Sequence, residues 1–131
     1  MSQVKMFEEY EVWRKARLLT KQIYQITERE PFAKDYNLKQ QIRKSAVSIT
    51  SNIAEGHDRD GNKEFIQFLY ISKGSAAELR SQLHNAVDVN YISLEEFRQL
   101  KSQALEVSKM LHGLISSIRK SELTGIKNKK N

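Results

Sequence analysis

The chain contains no cysteine among its 131 residues. This absence excludes a disulfide scaffold, a thiolate metal site and a cysteine nucleophile. Apolar runs are only a few residues long, far below the roughly 20 residues that a membrane-spanning helix needs. Residues 1–10 are polar and charged and show no apolar signal-peptide region. We therefore expect a cytoplasmic protein with no membrane association.

Turn-forming residues are also scarce, with one proline and five glycines in the chain. An all-β fold of this length would need turn signals every ~8–12 residues. The stretches between these breakers are rich in Leu, Ile, Ala, Gln, Glu, Lys and Arg, which favour helix. The length suits one domain. The sequence thus predicts a single all-α domain.

Apolar residues recur at steps of three and four in four segments, which is the spacing of one helix face. The first predicted helix runs from about Phe7 to Glu28 and stops before Pro31, which lacks an N–H group. The second starts near Tyr36 and ends at Gly56, where a glycine with positive φ is expected. The predicted core face of these two helices comprises Val12, Ala16, Leu19, Ile23, Ile26, Leu38, Ile42, Ala46, Ile49 and Ile53.

Capping residues mark the starts of the later helices. The expected N-caps are Asn37 for the second helix and Asp60 or Asn62 for the third. Ser93 and Glu96 form a capping box before the fourth helix, which is expected to run to about Lys120. Four amphipathic helices with short connections predict an antiparallel up-down-up-down four-helix bundle in residues 1–120, followed by a disordered basic tail at 121–131.

The second and third helices carry a second face of small or apolar residues, opposite their predicted core face. A helix in a monomeric bundle needs only one apolar stripe. We interpret the second face as a subunit interface; the alternative is that these residues cover an ordinary wetted surface. The predicted interface residues are Val47, Thr50, Ala54, Ile66, Tyr70, Gly74 and Ala77.

A string of polar residues lies beside the apolar stripe of the second helix, namely Ser45, Ser48, Asn52 and Glu55. Such residues are poor helix formers and hydrogen-bond locally or across helices. Because buried polar groups find partners, we expect a hydrogen-bonded seam between two helices. The alternative interpretation is a polar pocket.

Residue patterns that carry catalysis are missing. The three histidines lie on different segments without ligand spacing, and the acidic turn Asp58-x-Asp60-x-Asn62 has Lys63 where a calcium loop needs glycine. The sequence contains neither a glycine-rich phosphate-binding loop nor a nucleophile elbow. We therefore expect no enzymatic activity, no metal site and no cofactor.

Positive charge is the stronger indication of function, since the chain has a net charge of +6. Basic residues cluster on the outer half of the first helix and at the start of the second, a pattern that attracts phosphate backbones without reading bases. The predicted nucleic-acid-binding residues are Arg14, Arg17, Lys21, Lys39, Arg43 and Lys44. The alternative is a structural or protein-interaction bundle whose basic charge is incidental.

Two blocks of sequence resemble a known family. The first is Gln40-Gln-Ile-Arg-Lys-Ser-Ala-Val-Ser-Ile-Thr-Ser-Asn-Ile-Ala-Glu-Gly56, and the second is Phe65-Ile-Gln-Phe-Leu-Tyr-Ile-Ser-Lys-Gly-Ser-Ala-Ala-Glu-Leu79. Together with Trp13 in the first helix and Tyr91 in the last turn, they resemble the four-helix-bundle proteins encoded by intervening sequences in bacterial 23S rRNA genes. The resemblance extends over about residues 7–119. Thr50 stands where family members often have proline, so no kink is carried over to this helix.

The resemblance implies several properties beyond the fold. The family is similar to the accessory variability proteins of diversity-generating retroelements, which are pentamers that bind nucleic acid and a reverse transcriptase. It therefore implies a bacterial, cytoplasmic homopentamer with RNA or DNA, and a reverse transcriptase, as partners. It supplies no catalytic residue, in agreement with the residue patterns above.

Overall fold

The computed structural model describes the backbone of residues 6–130 and the side chains of residues 6–123. In chain order, the elements are a 3-10 turn at Phe7–Glu9, helix α1 at Glu11–Thr27, a 3-10 turn at Phe32–Lys34, α2 at Tyr36–Asp58, α3 at Asn62–Asp88 and α4 at Leu94–Lys130. No strand occurs in the described residues. Contacts of α1 with α2, α2 with α3, α3 with α4 and α4 with α1 close an antiparallel four-helix bundle, which confirms the predicted fold class.

One apolar core runs along the bundle axis, and the predicted stripes supply it. Every predicted core residue of α1 and α2 is buried except Leu38, which packs half-buried against the core. The connection between these helices adds Phe32, which the helical pattern did not identify. Its ring is 0% exposed, and its centroid lies 5.0 Å from that of Tyr91. None of the helices in the described residues combines the length and hydropathy needed to cross a bilayer.

The first helix begins later than predicted. Tyr10 has extended backbone angles, so it separates the 3-10 turn from α1, which starts at Glu11. The guanidinium of Arg14 donates to the carbonyl oxygens of Glu8 and Glu9 at 2.9 and 3.0 Å. These bonds satisfy carbonyl groups that a continuous helix would have paired within itself.

Two of the predicted N-caps are wrong. Asp35, and not Asn37, caps α2, because its carboxylate accepts from the Leu38 amide at 3.1 Å. A tertiary contact favours this choice, since the hydroxyl of Tyr91 donates to the same carboxylate at 2.9 Å. At α3 the cap position is Gly61, with φ +101° and no side-chain hydrogen bond, in place of Asp60 or Asn62.

Gly56 has a different role from the one predicted. It lies inside α2, which continues to Asp58, and it is buried. A Cβ atom at this position would lie 2.6 Å from Cβ of Phe68 and 3.1 Å from Cδ1 of Phe65. The glycine therefore permits close approach of α2 and α3 and does not end the helix.

The polar string of α2 forms the predicted hydrogen-bonded seam. Ser75 of α3 donates to Oγ of Ser48 at 2.8 Å, and the amide of Asn52 donates to the same oxygen at 3.0 Å. Ser72 of α3 donates to the carbonyl of Ile49 at 2.8 Å. Glu55 lies outside this seam and pairs with Arg59 at 2.7 Å. The hydrogen bonds link α2 to α3 and fix their register.

The fourth helix starts and ends differently from the other three. Its start confirms the capping box, because the Glu96 amide donates to Oγ of Ser93 at 3.1 Å and the Ser93 amide donates back to the Glu96 carboxylate at 2.9 Å. The helix continues past the predicted end near Lys120 to Lys130. Residues 121–130 of the predicted basic tail thus continue α4, and the side chains of residues 124–131 lie outside the described residues.

Glu96 also ties the start of α4 to the end of α1. Both guanidinium nitrogens of Arg29 donate to its carboxylate, at 2.8 and 3.0 Å. The Arg29 hydrogen bonds, followed by the one from the Ser93 amide, lower the pKa of Glu96 from 4.5 to about 2. The Glu96 carboxylate of the capping box is therefore half ionised near pH 2 and carries its full charge at neutral pH.

We expect the charge on Glu96 to make the protein less stable in acid. Because folding lowers this pKa, the stabilisation is complete above about pH 4.5 and is lost as the pH falls toward about 2. The side chain is 34% exposed, so solvent screening limits the loss to about 1–2 kcal/mol. Urea unfolding of Glu96→Gln should show a shallower loss over this range than the wild type. Identical pH dependence of the two proteins would contradict this account.

Candidate nucleic-acid interface

The six predicted nucleic-acid-binding residues fall into exposed and anchored groups. Arg17 and Lys21 project from the outer face of α1, and Lys44 projects from α2; all three are exposed. The described residues contain no ion pair that involves any of the three. Arg17 lies over the ring of Trp13, with 5.7 Å between the guanidinium carbon and the ring centroid. These three cations are available to an external anion.

Arg43 is anchored between α1 and α2. Its Nε donates to Oγ1 of Thr27 at 2.8 Å, and its Nη2 donates to the carbonyl of Tyr24 at 3.2 Å. The same nitrogen pairs with Glu28 at 3.3 Å, and only 18% of the side chain is exposed. The guanidinium also covers the ring of Tyr24, 4.3 Å from its centroid. Arg43 therefore holds the two helices together and has little freedom to follow a ligand.

Lys39 and Arg14 are the other anchored members of the set. Nζ of Lys39 lies 3.5 Å from the Glu28 carboxylate. The hydrogen bond from Arg43, together with Lys39, holds the pKa of Glu28 below its ordinary value. Arg14 is exposed, although its guanidinium is bonded to the carbonyl groups of the 3-10 turn. Three of the six predicted cations, Arg14, Lys39 and Arg43, thus add positive electrostatic potential to the surface while hydrogen bonds or ion pairs hold their side chains in place.

A shallow groove lies between α1 and α2 on this side of the bundle. We call it the α1–α2 groove, and its lining residues are Tyr24, Gln40, Gln41, Arg43, Lys44 and Val47. The groove combines an aromatic ring, amide side chains and cations. The cations of this groove were identified from the sequence, but Tyr24 was not. The side chain is 42% exposed.

The predicted interface residues lie in two separate places. Val47 borders the α1–α2 groove, with Thr50 and Ala54 half-buried further along α2. On the other side of the bundle, Tyr70 lines a second groove, between α3 and α4, and the Arg119 guanidinium lies 5.4 Å from its ring centroid.

Two of the predicted interface residues of α3 are exposed on its outer face, and a third is buried. Gly74 and Ala77 are exposed, and a Cβ atom at Gly74 would meet nothing within 4 Å. Ile66 was expected on the outside but is only 8% exposed and belongs to the core cluster. The reason is that α3 packs against both α2 and α4, so its buried arc is wider than a single stripe.

A third groove, between α1 and α4, was missed from the sequence. Its lining residues are Gln22, Gln25, Ile26, Arg29, Glu96, Gln99 and Leu100. Ion pairs of Arg29 with Glu96 and of Lys15 with Glu106 bridge the two helices. The partners lie 67 and 91 positions apart, so only the folded topology joins them. Within the described residues, no group of three or more His, Cys, Asp or Glu side chains could hold a metal ion.

Comparisons with known proteins agree with this architecture. The family model of the 23S rRNA-intervening sequence protein matches residues 8–113. The chain is similar to a crystal structure of a protein with unknown function from the S23 ribosomal protein family of Bacteroides thetaiotaomicron, with 26% identity and a TM-score of 0.73 over 79% of this chain and 97% of that chain. No curated protein matches. Because the family model covers most of the chain, the protein belongs to the 23S rRNA-intervening sequence protein family.

Proposed function

We propose that this protein is an oligomeric, non-enzymatic bundle that binds the phosphate backbone of RNA or DNA. The observation that carries the proposal is the group formed by Arg17, Lys21 and Lys44, three exposed cations with no ion-pair partner in the described residues. They lie on neighbouring helices beside anchored cations of the same sign. Unneutralised charges in this arrangement release counterions when a polyanion binds.

The family supports this proposal in a general way. The family is named after intervening sequences of 23S rRNA, and the similar structure belongs to a family named after a ribosomal protein. On the resemblance to accessory variability proteins that the sequence implies, we propose a cytoplasmic homopentamer with a reverse transcriptase as partner. Several subunits of charge +6 in one ring would multiply the attraction for a polyanion.

A charge-removal variant tests the binding surface. Changing Arg17, Lys21 and Lys44 together to glutamine should weaken binding to RNA and DNA by about tenfold or more at low salt, equally for different sequences. The slope of log K against log salt should flatten by about 2–3, because up to three phosphate contacts are lost. A salt titration of fluorescence anisotropy with a labelled oligonucleotide measures both quantities.

The matched control removes the same charge from another face. Arg98, Lys109 and Lys120 are exposed on α4 at a spacing of eleven residues, which is close to three helical turns. Their triple glutamine variant should retain most of the affinity and the salt slope. If both triple variants lose affinity equally, the binding follows net charge and not this surface. If the wild type binds nothing at low salt, the protein is a structural or protein-interaction bundle.

We further propose that subunits assemble head to tail, with the α2 patch around Val47 against the α3 patch around Gly74. The two patches lie on different sides of the bundle, and unlike patches that meet head to tail form rings when the rotation closes. Tyr70 is 43% exposed within the second patch. The ring size of five comes from the family resemblance.

The Gly74→Leu variant distinguishes a contact from a free surface. At a subunit contact, the added leucine side chain would cost about 1–3 kcal/mol through overpacking. The variant should then dissociate, whereas the wild type should have a mass of about five times 15.3 kDa. On a free surface the change would stabilise the helix by roughly 1 kcal/mol. Light scattering and thermal melting read out the two outcomes, and Gly113→Leu, also in open space, is the control. A monomeric wild type with a higher-melting Gly74→Leu variant would refute the assembly.

A further inference from the structure

Two tyrosines stand on the α1–α2 groove and its continuation along α2. Tyr24 is 42% exposed and Tyr36 is 71% exposed. Tyr36, Gln40, Arg43 and Val47 follow one another at steps of four, three and four, so they lie along one face of α2. Since Arg43 contacts the ring of Tyr24 and lies seven residues from Tyr36, the two aromatic groups are about 10 Å apart along the helix axis.

The Tyr24 ring is held in one orientation by its neighbours. Arg43 covers it at 4.3 Å, and Arg43 is itself fixed by Thr27, the Tyr24 carbonyl and Glu28. The ring therefore keeps its orientation without a ligand, and little side-chain entropy is lost when one binds. The guanidinium lies over one face of the ring, so a nucleobase would stack on the opposite face of this partly exposed side chain, where the cation strengthens the contact.

The charges around the tyrosines complement a phosphate backbone. Lys44 of α2 lines the groove, and Lys21 of α1 lies three residues before Tyr24; both lysines are exposed. The carboxylate of Glu28 lies nearby, but Arg43 and Lys39 pair with it, so it opposes a bound anion only weakly. Amide side chains of Gln40 and Gln41 line the same groove and can donate to and accept from base edges.

From this juxtaposition we propose that the α1–α2 groove binds single-stranded nucleic acid in preference to a duplex, with bases stacked on Tyr24 and Tyr36. The inference rests on the proposed nucleic-acid function and specifies its substrate class. A duplex offers phosphates to the lysines, but its bases are already stacked on one another. A single strand offers both phosphates and free base faces, so only the single strand gains from the tyrosines. Val47 is the border between this surface and the subunit contact proposed above.

The experiment compares one labelled single-stranded oligonucleotide with the duplex of the same length, at the same low salt, by fluorescence anisotropy. The wild type should bind the single strand at least tenfold more tightly. Tyr24→Leu together with Tyr36→Leu should weaken single-strand binding by about tenfold for each tyrosine and change duplex binding by less than about twofold. Tyr24→Phe together with Tyr36→Phe should retain the preference, because the ring faces remain.

Tyr70→Leu is the matched control, since Tyr70 is 43% exposed and also lies beneath an arginine, on the opposite side of the bundle. Because Tyr70 belongs to the proposed subunit contact and not to the groove, Tyr70→Leu should leave the ratio of single-strand to duplex affinity unchanged, and light scattering shows whether its subunit mass has changed. Equal wild-type affinity for both forms, or equal loss of both in the leucine variant, would overturn the inference while leaving the backbone-binding function intact. Failure of the wild type to bind either form would overturn the proposed function itself. A leucine variant with altered subunit mass and unaltered preference would assign the tyrosines to a subunit contact.

Discussion

Replacing Phe32 by alanine is expected to lower the free energy of unfolding by about 3–5 kcal/mol. Phe32 is the largest of the fully buried side chains, and its removal leaves a cavity between the end of α1 and the start of α2. The substitution also removes the ring contact with Tyr91. Tyr91 in turn donates a hydrogen bond to Asp35, the N-cap of α2. For a domain of this size, the loss corresponds to a melting temperature lower by about 10–20 °C.

A neighbouring tyrosine provides the control for Phe32. Tyr36 lies four residues away and is 71% exposed, so Tyr36→Ala should change stability by no more than about 0.5 kcal/mol. Both variants can be compared with the wild type by urea unfolding and calorimetry. A Phe32→Ala variant that loses less than about 1 kcal/mol would show that the connection adds little to the core.

Replacing Gly56 by alanine is expected to destabilise the protein by about 1–3 kcal/mol, although alanine is the better helix former by roughly 1 kcal/mol. The added Cβ would lie 2.6 Å from Cβ of Phe68. That atom is attached directly to the backbone, so the two helices must move apart to relieve the overlap. The movement would also strain the serine hydrogen bonds that link α2 to α3.

Gly113 is the matched control because it also lies within a helix but has open space around it. Gly113→Ala should stabilise the protein by up to about 1 kcal/mol, the opposite sign to Gly56→Ala. Thermal melting of the two variants beside the wild type is sufficient to observe this difference. A Gly56→Ala variant as stable as Gly113→Ala would mean that α2 and α3 separate at no cost.

The parts of the fold that follow from local pattern could be predicted. Residues such as Leu19, Ile42 and Ile49 recur with the helical period and are fully buried, because a helix must bury its apolar face. The capping box of Ser93 and Glu96 is likewise a local hydrogen-bonding pattern. The cations of the candidate site were identified in the same way, from composition and spacing alone.

The parts that depend on distant residues could not be predicted. Asn37 and Asp35 are both good N-caps, and the contact from Tyr91, 56 positions away, favours Asp35. Arg17 and Arg43 carry the same charge, yet only the folded chain brings Thr27 and Glu28 to Arg43. Among the side chains of residues 6–123, no carboxylate pairs with Arg17.

The sequence by itself determined the helical class, the four-helix bundle, the apolar stripes and the basic surface, since these follow from periodicity and charge along the chain. Only the tertiary structure decided which glycine lies at a close contact between two helices and which isoleucine is buried in the core. It also decided which arginine is exposed without a carboxylate partner among the described residues. The physical reason is that burial and hydrogen-bond partners depend on neighbours far apart in sequence. At Gly56, Ile66 and Arg43 those neighbours come from the adjacent helices.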